Sequence, residues 1–190
     1  NGLVAYTNRN GKVTRYGRDA AGRLTAVTNA NLEVTRVAYN ALDEVTDLWD
    51  GRTNHTVWHY NQYGWLSNQV DALGREVVRY TYYSDGQVAS RWTPQRGETV
   101  YTWDAVGNLE TLSNEVSSVS YYYDALNQMR MMVDAVGTTR FTYTAAGQLK
   151  TEDGPWAGDT LTYGYTNGLR TSLTLGSAGF GYEYDLGWRL

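Results

Sequence analysis

One motif returns along this chain at a nearly constant interval, and that constrains its fold more than any other feature. The stretches VYTWDAVGNLETL (100–112), SYYYDALNQMRMM (120–132) and RFTYTAAGQLKTE (140–152) share a pattern. Two aromatic or β-branched residues flank a spacer, an Asp-like residue follows, and then comes x-x-Gly-x-Leu. With the Asp-like residue as reference, the copies centre on Asp19, Asn40, Asn61, Tyr83, Asp104, Asp124, Thr144, Thr166 and Asp185, 19 to 22 residues apart. About nine copies of about 21 residues therefore cover residues 1–190 as one repeat region. In such an array each unit buries surface mainly against its neighbours.

The columns of the repeat identify the local structure. Three places before the reference stand Tyr16, Val37, Trp58, Tyr80, Tyr101, Tyr121, Phe141, Tyr163 and Tyr182. One place before it stand Arg18, Tyr39, Tyr60, Tyr82, Trp103, Tyr123, Tyr143, Tyr165 and Tyr184. The intervening column is more polar, so the period is two, as in a strand with one buried face. Three places after the reference are Gly22, Gly64, Gly86, Gly107 and Gly147, with Asp43 and Asn127 in two other copies. All three residue types tolerate positive φ, as a tight reversal requires. A second apolar strand follows through Leu24, Val45, Leu66, Val88, Leu109, Met129 and Leu149. It ends at a second turn column of Asn29, Asp50, Asp71, Thr93, Asn114, Asp134 and Gly154.

Each copy therefore reads as a β-hairpin, and the chain as all-β: tandem antiparallel hairpins in a continuous, curved or spiralling sheet strip. Tyr39, Tyr60, Tyr80, Tyr82, Tyr101, Trp103, Asp104, Gly107, Tyr121, Tyr123, Asp124, Tyr143 and Gly147 carry the motif. About 18 strands at about 4.8 Å spacing would make a flat ribbon roughly 85 Å wide, and a sheet that wide twists, coils or splits. A propeller would repeat every four strands, at about 42 residues, and no such alternation is present. A parallel β-helix is disfavoured by turns about ten residues apart. AYNALDEVTDLW (38–49) also shows Ala41, Val45 and Leu48 at helical spacing, but its tyrosine and valine columns match the other copies, which makes it strand. Beyond residue 153 the turns shorten and the register is least defined.

Composition agrees with a surface buried on one side and wet on the other. There are 17 Tyr and 7 Trp against 2 Phe, and tyrosine suits a sheet wet on one side and covered on the other. With 16 Lys and Arg against 20 Asp and Glu, no basic excess exists to neutralise a nucleic acid. No cysteine is present, which excludes disulfides and thiolate metal sites. No apolar run is long enough for a membrane-spanning helix. The chain begins at Asn1 without a basic-then-apolar leader, and is expected to be part of a longer polypeptide.

No residues of this sequence are assigned to catalysis, a cofactor or a metal. His55 and His59 lie four apart on an expected strand, a span of roughly 13 Å, too long for one zinc; they read as polar-face residues. The aspartates Asp19, Asp50, Asp71, Asp85, Asp104, Asp124, Asp134, Asp153 and Asp185 mostly occupy turn columns, where Asp bonds its own backbone. Neither calcium nor a glycosidase pair is singled out. LGSAGFG (175–181) lacks the context of a phosphate loop, and the sequon Asn54-His55-Thr56 matters only on a eukaryotic secretory route. The remaining alternative is a carbohydrate-binding or adhesive surface, with Trp49, Trp92 and Trp156 exposed for stacking on sugar rings.

YTWDAVGNL, YYYDALNQM, RYGRDAAGRL and VDALGREVVRYTY resemble the YD repeats of Rhs proteins, found also in the shell components of bacterial ABC toxins and in teneurins. The resemblance covers essentially the whole chain. It implies a fragment of a hollow β-sheet shell whose partners are the rest of that shell and an enclosed C-terminal effector, in a secreted or cell-surface protein. Edge-to-edge self-association is a further expectation, because the ends of the strip are edge strands. The family's shell-closing, self-cleaving segment has no counterpart here, so no protease residue and no toxin activity are carried over.

Overall fold

The computed structural model describes residues 4–184; the reference residue Asp185 of the ninth copy lies outside them. Eighteen strands are present among the described residues, antiparallel and paired to their sequence neighbours within each unit, and no helix accompanies them. The chain divides into two compact units, Asn1–Glu98 and Thr99–Leu190. The first holds β1 (Ala5–Thr7), β2 (Val13–Arg18), β3 (Leu24–Thr28), β4 (Val34–Tyr39), β5 (Val45–Trp49), β6 (His55–Tyr60), β7 (Leu66–Val70), β8 (Glu76–Tyr82) and β9 (Val88–Thr93). Strand β10 (Gly97–Trp103) begins there and ends in the second unit. That unit continues with β11 (Leu109–Ser113), β12 (Ser118–Tyr123), β13 (Met129–Val133), β14 (Thr138–Tyr143), β15 (Leu149–Asp153), β16 (Leu161–Thr166), β17 (Leu169–Leu175) and β18 (Ala178–Gly181). The all-β antiparallel expectation holds. The segment 38–49, helical by spacing alone, is the end of β4, a turn and β5, because cross-strand pairing overrides a weak local propensity.

The turn after the aromatic strand has one construction in the first seven copies. In the copy at Asp104 the Gly107 N–H donates to the Asp104 carbonyl at 3.0 Å, and the Asp104 N–H donates to the Asn108 carbonyl at 2.9 Å. Gly107 takes φ 92°, a left-handed residue closing a type I turn, which is a common hairpin solution. The Asp104 carboxylate accepts the Val106 and Asn108 N–H groups at 3.0 and 2.9 Å. Asp124 repeats this with Leu126 and Gln128 at 2.8 and 2.9 Å. Asn8, Asn29, Asp50 and Asp71 do the same in the opposite row of turns. In that row the left-handed position is Gly11 and Gly74 in two copies but Leu32 and Thr53 in two others, at φ 66° each.

Beyond each turn the strands carry a bulge. Thr102 pairs Thr111, but the next pair is Trp103 with Leu109, which leaves Glu110 as the extra residue. The same shift recurs at Gly17/Arg18, Ala38/Tyr39, His59/Tyr60, Thr81/Tyr82, Tyr122/Tyr123 and Thr142/Tyr143. Extra residues of this kind bend a strand and raise its twist. The late hairpins differ: β16 and β17 join through Asn167 and Gly168 alone, both left-handed at φ 52° and 83°, as a two-residue reversal demands.

Neither unit has a conventional core. Val78 is the one buried apolar side chain among the described residues, at 9% exposure, and no large side chain is fully enclosed. One face carries the aromatic columns. The other carries short polar pairs such as Thr81–Ser90, Thr102–Thr111 and Thr142–Thr151, whose hydroxyls bond at 2.8, 2.7 and 2.6 Å. A sheet one layer thick obtains its cohesion from cross-strand pairs and from the seams between hairpins.

Candidate functional site: the seam between hairpins

In a chain whose residues repeat, the position that can do something is also repeated. Within a hairpin the ladder runs up to the bulge. Between hairpins it is shorter: β11 and β12 pair only Thr111–Ser120, Leu112–Val119 and Ser113–Ser118. The Leu109 carbonyl lies past the end of that ladder and would need another donor. The tyrosine immediately before the turn of the next hairpin supplies it. Tyr123 donates its hydroxyl to the Leu109 carbonyl at 3.0 Å, and Tyr143 to Met129, the equivalent residue, at 2.7 Å. Tyr39 reaches Leu24 at 2.8 Å, Tyr60 reaches Val45 at 2.7 Å, Tyr82 reaches Leu66 at 2.7 Å and Tyr165 reaches Leu149 at 2.8 Å. In the last described copy Tyr184 reaches Arg170 at 2.9 Å, one residue early because the preceding turn is shorter.

The tyrosine column is therefore a row of ties, each fastening one hairpin to its predecessor. Burial raises the hydroxyl pKa of Tyr60, Tyr82, Tyr123 and Tyr143 above the ordinary tyrosine value, with neighbouring negative or phenolic groups adding to the effect. The donor form is the one the fold holds. Arg18 occupies this column in the first copy, and its guanidinium bonds its own turn at the Gly22 carbonyl instead.

A second lateral contact was not anticipated from the sequence. The residue four places after the reference extends over the left-handed residue of the next turn. Arg23 is salt-bridged to Asp19 of its own turn at 2.7 Å and reaches Asp43 of the next, and its guanidinium lies 4.9 Å from the Tyr39 ring centre. Asn108 donates to Asn127 at 3.2 Å, Gln128 to the Gly147 carbonyl at 3.3 Å and Gln148 to the Gly168 carbonyl at 2.9 Å. Trp65 lies so close over Gly86 that a Cβ there would come within 2.9 Å of the indole ring, and it also packs against Tyr63 and Tyr82 at 4.9 and 5.2 Å between centres. The chemistry changes from copy to copy, so no column of like residues advertises the contact.

The remaining expected residues are placed as follows. Tyr80 lies on the aromatic face beside Tyr82, 6.3 Å between centres, with its hydroxyl 3.3 Å from Arg91 Nε. Tyr101 pairs Leu112 and Tyr121 pairs Met132 across their hairpins, and Trp103 stands at the end of β10 opposite Leu109. His55 is more than a polar-face residue: its ring stacks on Trp49 at 4.5 Å and 8°, and its Nε2 is 2.8 Å from Asp47. His59 is not drawn into that cluster, and no three potential metal ligands converge among the described residues. The expected solvent-facing tryptophans are not equivalent. Trp49 stacks on His55 and Trp92 lies 5.2 Å from the Arg79 guanidinium, while Trp156 is 66% exposed in a separate loop.

Among the carboxylates, hydrogen bonds hold the pKa of Asp104, Asp50, Asp71 and Asp19 below the usual aspartate value; the largest contributions come from the side chains of Asn108, Asn54, Arg75 and Arg23 respectively. These are turn-stabilising carboxylates, as their columns imply.

A strip of antiparallel hairpins, tied at seven seams by tyrosine hydroxyls and lacking a core of its own, is a repeat-built sheet. The family model described as RHS Repeat matches residues 1–34. No curated protein sequence matches the chain. Among solved structures, the crystal structure of TcdB2-TccC3-Cdc42 is similar over 97% of this chain, with a TM-score of 0.70 at 14% identity. The Photorhabdus luminescens Tc holotoxin pore is similar over 90%, with a TM-score of 0.60 at 15% identity. The chain spans 13% and 12% of the lengths of those two chains. The resemblance to Rhs/YD-repeat proteins therefore holds: an RHS repeat at its start, and the sheet fold of the Tc-toxin proteins over almost all of its length.

Proposed function

We propose that residues 1–190 are a non-catalytic segment of an Rhs/YD-repeat shell that encloses or displays another polypeptide. Its partners are the remainder of that shell and an effector domain held by it, in a secreted or cell-surface protein, and its sheet curves as part of a closed wall. The observation that carries this reading is the absence of a core: a sheet one layer thick, aromatic on one face and fastened hairpin to hairpin, acquires a role from extent rather than from any cleft. The similar structures contain TcdB2 and TccC3, which supports a wall role.

The test is electron cryo-microscopy of the full-length polypeptide that carries this sequence. A hollow particle with residues 4–184 in its wall is expected; a solid domain or a radial propeller would overturn the reading. Titration of tryptophan fluorescence with oligosaccharides checks the adhesive alternative, and no saturable shift is expected.

A further inference from the structure

The chain contains three methionines, and all of them fall within four residues of β13: Met129, Met131 and Met132. Each stands directly opposite one of the three consecutive tyrosines of β12. Met132 faces Tyr121, Met131 faces Tyr122 and Met129 faces Tyr123. Side chains paired in this way start from Cβ atoms about 5 Å apart, which brings a thioether within reach of a phenol ring. The hairpins on either side are built differently. Leu109 and Leu149 take the place of Met129, and Thr111 and Thr151 that of Met131. Those threonine hydroxyls bond Thr102 and Thr142 at 2.7 and 2.6 Å. All three methionines are half-buried rather than enclosed, and Tyr122 beside Met131 is 40% exposed. Two seams also meet in this hairpin. Tyr123 donates to the Leu109 carbonyl, and the Met129 carbonyl accepts from Tyr143.

We propose that this hairpin is an oxidation site, at which hydrogen peroxide converts the three thioethers to sulfoxides and thereby loosens the strip at the two adjoining seams. A sulfur lone pair attacks one peroxide oxygen; the S–O bond forms as the O–O bond breaks, and the other oxygen leaves as water after proton transfer. Sulfur gives up two electrons and peroxide takes them, so no further reactant is required. The sulfoxide is polar where the thioether was apolar, and its packing against the ring is lost. The two faces of the sheet separate the effect. Tyr121, Tyr123, Met129 and Met132 share the aromatic face with the stitching hydroxyls, whereas Tyr122 and Met131 lie on the other. Met131, beside the exposed Tyr122, should react first and leave the seams intact; oxidation of Met129 and Met132 should open them. The inference rests on strand register and not on the shell reading.

The experiment treats the folded 190-residue chain with graded hydrogen peroxide, locates the added oxygens by peptide mass spectrometry, and follows amide hydrogen exchange and the urea midpoint. Oxygen should enter at Met131 first and then at Met129 and Met132. Exchange of the β12 and β13 amides should change little after the first oxygen and become about tenfold faster after the third. The urea midpoint should fall with it, while exchange in β2 to β7 stays as before. The chain carrying Met129→Leu, Met131→Leu and Met132→Leu, changes of nearly constant volume, should keep its midpoint under the same peroxide. The chain carrying Met131→Leu alone should still lose it. Unchanged exchange and midpoint in the fully oxidised chain, an equal loss in the triply substituted chain, or the whole loss on oxidation of Met131 alone would overturn the proposal.

Discussion

Each tyrosine hydroxyl at a seam satisfies a carbonyl that the ladder has left behind, so its removal has a definite cost. A hydrogen bond of this kind contributes about 1 kcal/mol net. Tyr60→Phe or Tyr143→Phe should therefore lower the unfolding free energy by about that amount, measurable as a shift in the urea midpoint at unchanged slope. The same groups give a pH dependence whose sign follows from their raised pKa. In the unfolded chain tyrosine ionises near pH 10, whereas the folded chain retains the proton to higher pH. The contribution is complete below about pH 10 and is lost as pH rises from there through the folded value. Urea midpoints should accordingly fall as the pH rises above about 10, and less steeply in the Tyr60→Phe, Tyr143→Phe chain. At Thr53 the opposite change is favourable. A β-branched residue at φ 66° is strained by about 1 kcal/mol or more, and Thr53→Gly should raise the midpoint despite glycine's greater entropy in the unfolded chain.

At the level of the hairpin, the left-handed residue after each turn has two tasks that can be separated. Gly22 and Gly86 have similar φ, 86° and 92°, but open space surrounds the first and the Trp65 ring crowds the second. Asparagine tolerates this backbone in both places. Gly22→Asn should thus be nearly neutral, whereas Gly86→Asn should displace Trp65 and cost about 1–3 kcal/mol, readable in thermal unfolding and in the indole fluorescence. This difference also marks what a sequence can disclose. Strands and turns were legible because Tyr39, Tyr60 and Tyr82 recur beside Asp43, Gly64 and Gly86 at a fixed offset, and backbone geometry admits few residue types at positive φ. The partner of each tyrosine hydroxyl was not legible, since a main-chain carbonyl carries no residue label. Nor was the lateral contact of Arg23, Trp65, Asn108 and Gln128, where a guanidinium, an indole and two amides fill one place by different forces. His55 escaped for a similar reason: its stack on Trp49 depends on which residues a neighbouring strand puts opposite.

At the scale of the whole chain the absence of a core decides the energetics. With so little apolar area enclosed, stability should be close to a sum of hairpin and seam contributions, and unfolding should release little heat capacity for its length. Calorimetry should give a heat-capacity change well below the roughly 12–15 cal/mol/K per residue of ordinary domains. The exposed apolar residues at the turn tips, Leu42 and Tyr63 in one unit and Val116 and Leu126 in the other, add surface that water covers poorly. Light scattering should accordingly show mass rising with concentration, as expected of open strand edges.

The row of phenolic ties has a mechanical consequence. Loaded from one terminus, a wall fastened this way should part like stitching, one loop of thread at a time. Each step should free about 21 residues, or roughly 70 Å of extended thread, and the steps that break a phenol–carbonyl stitch should need similar loads, because those stitches are of the same make. Such a fabric resists no single large pull, yet damage at one point stays local, since the neighbouring stitches do not share in the failure.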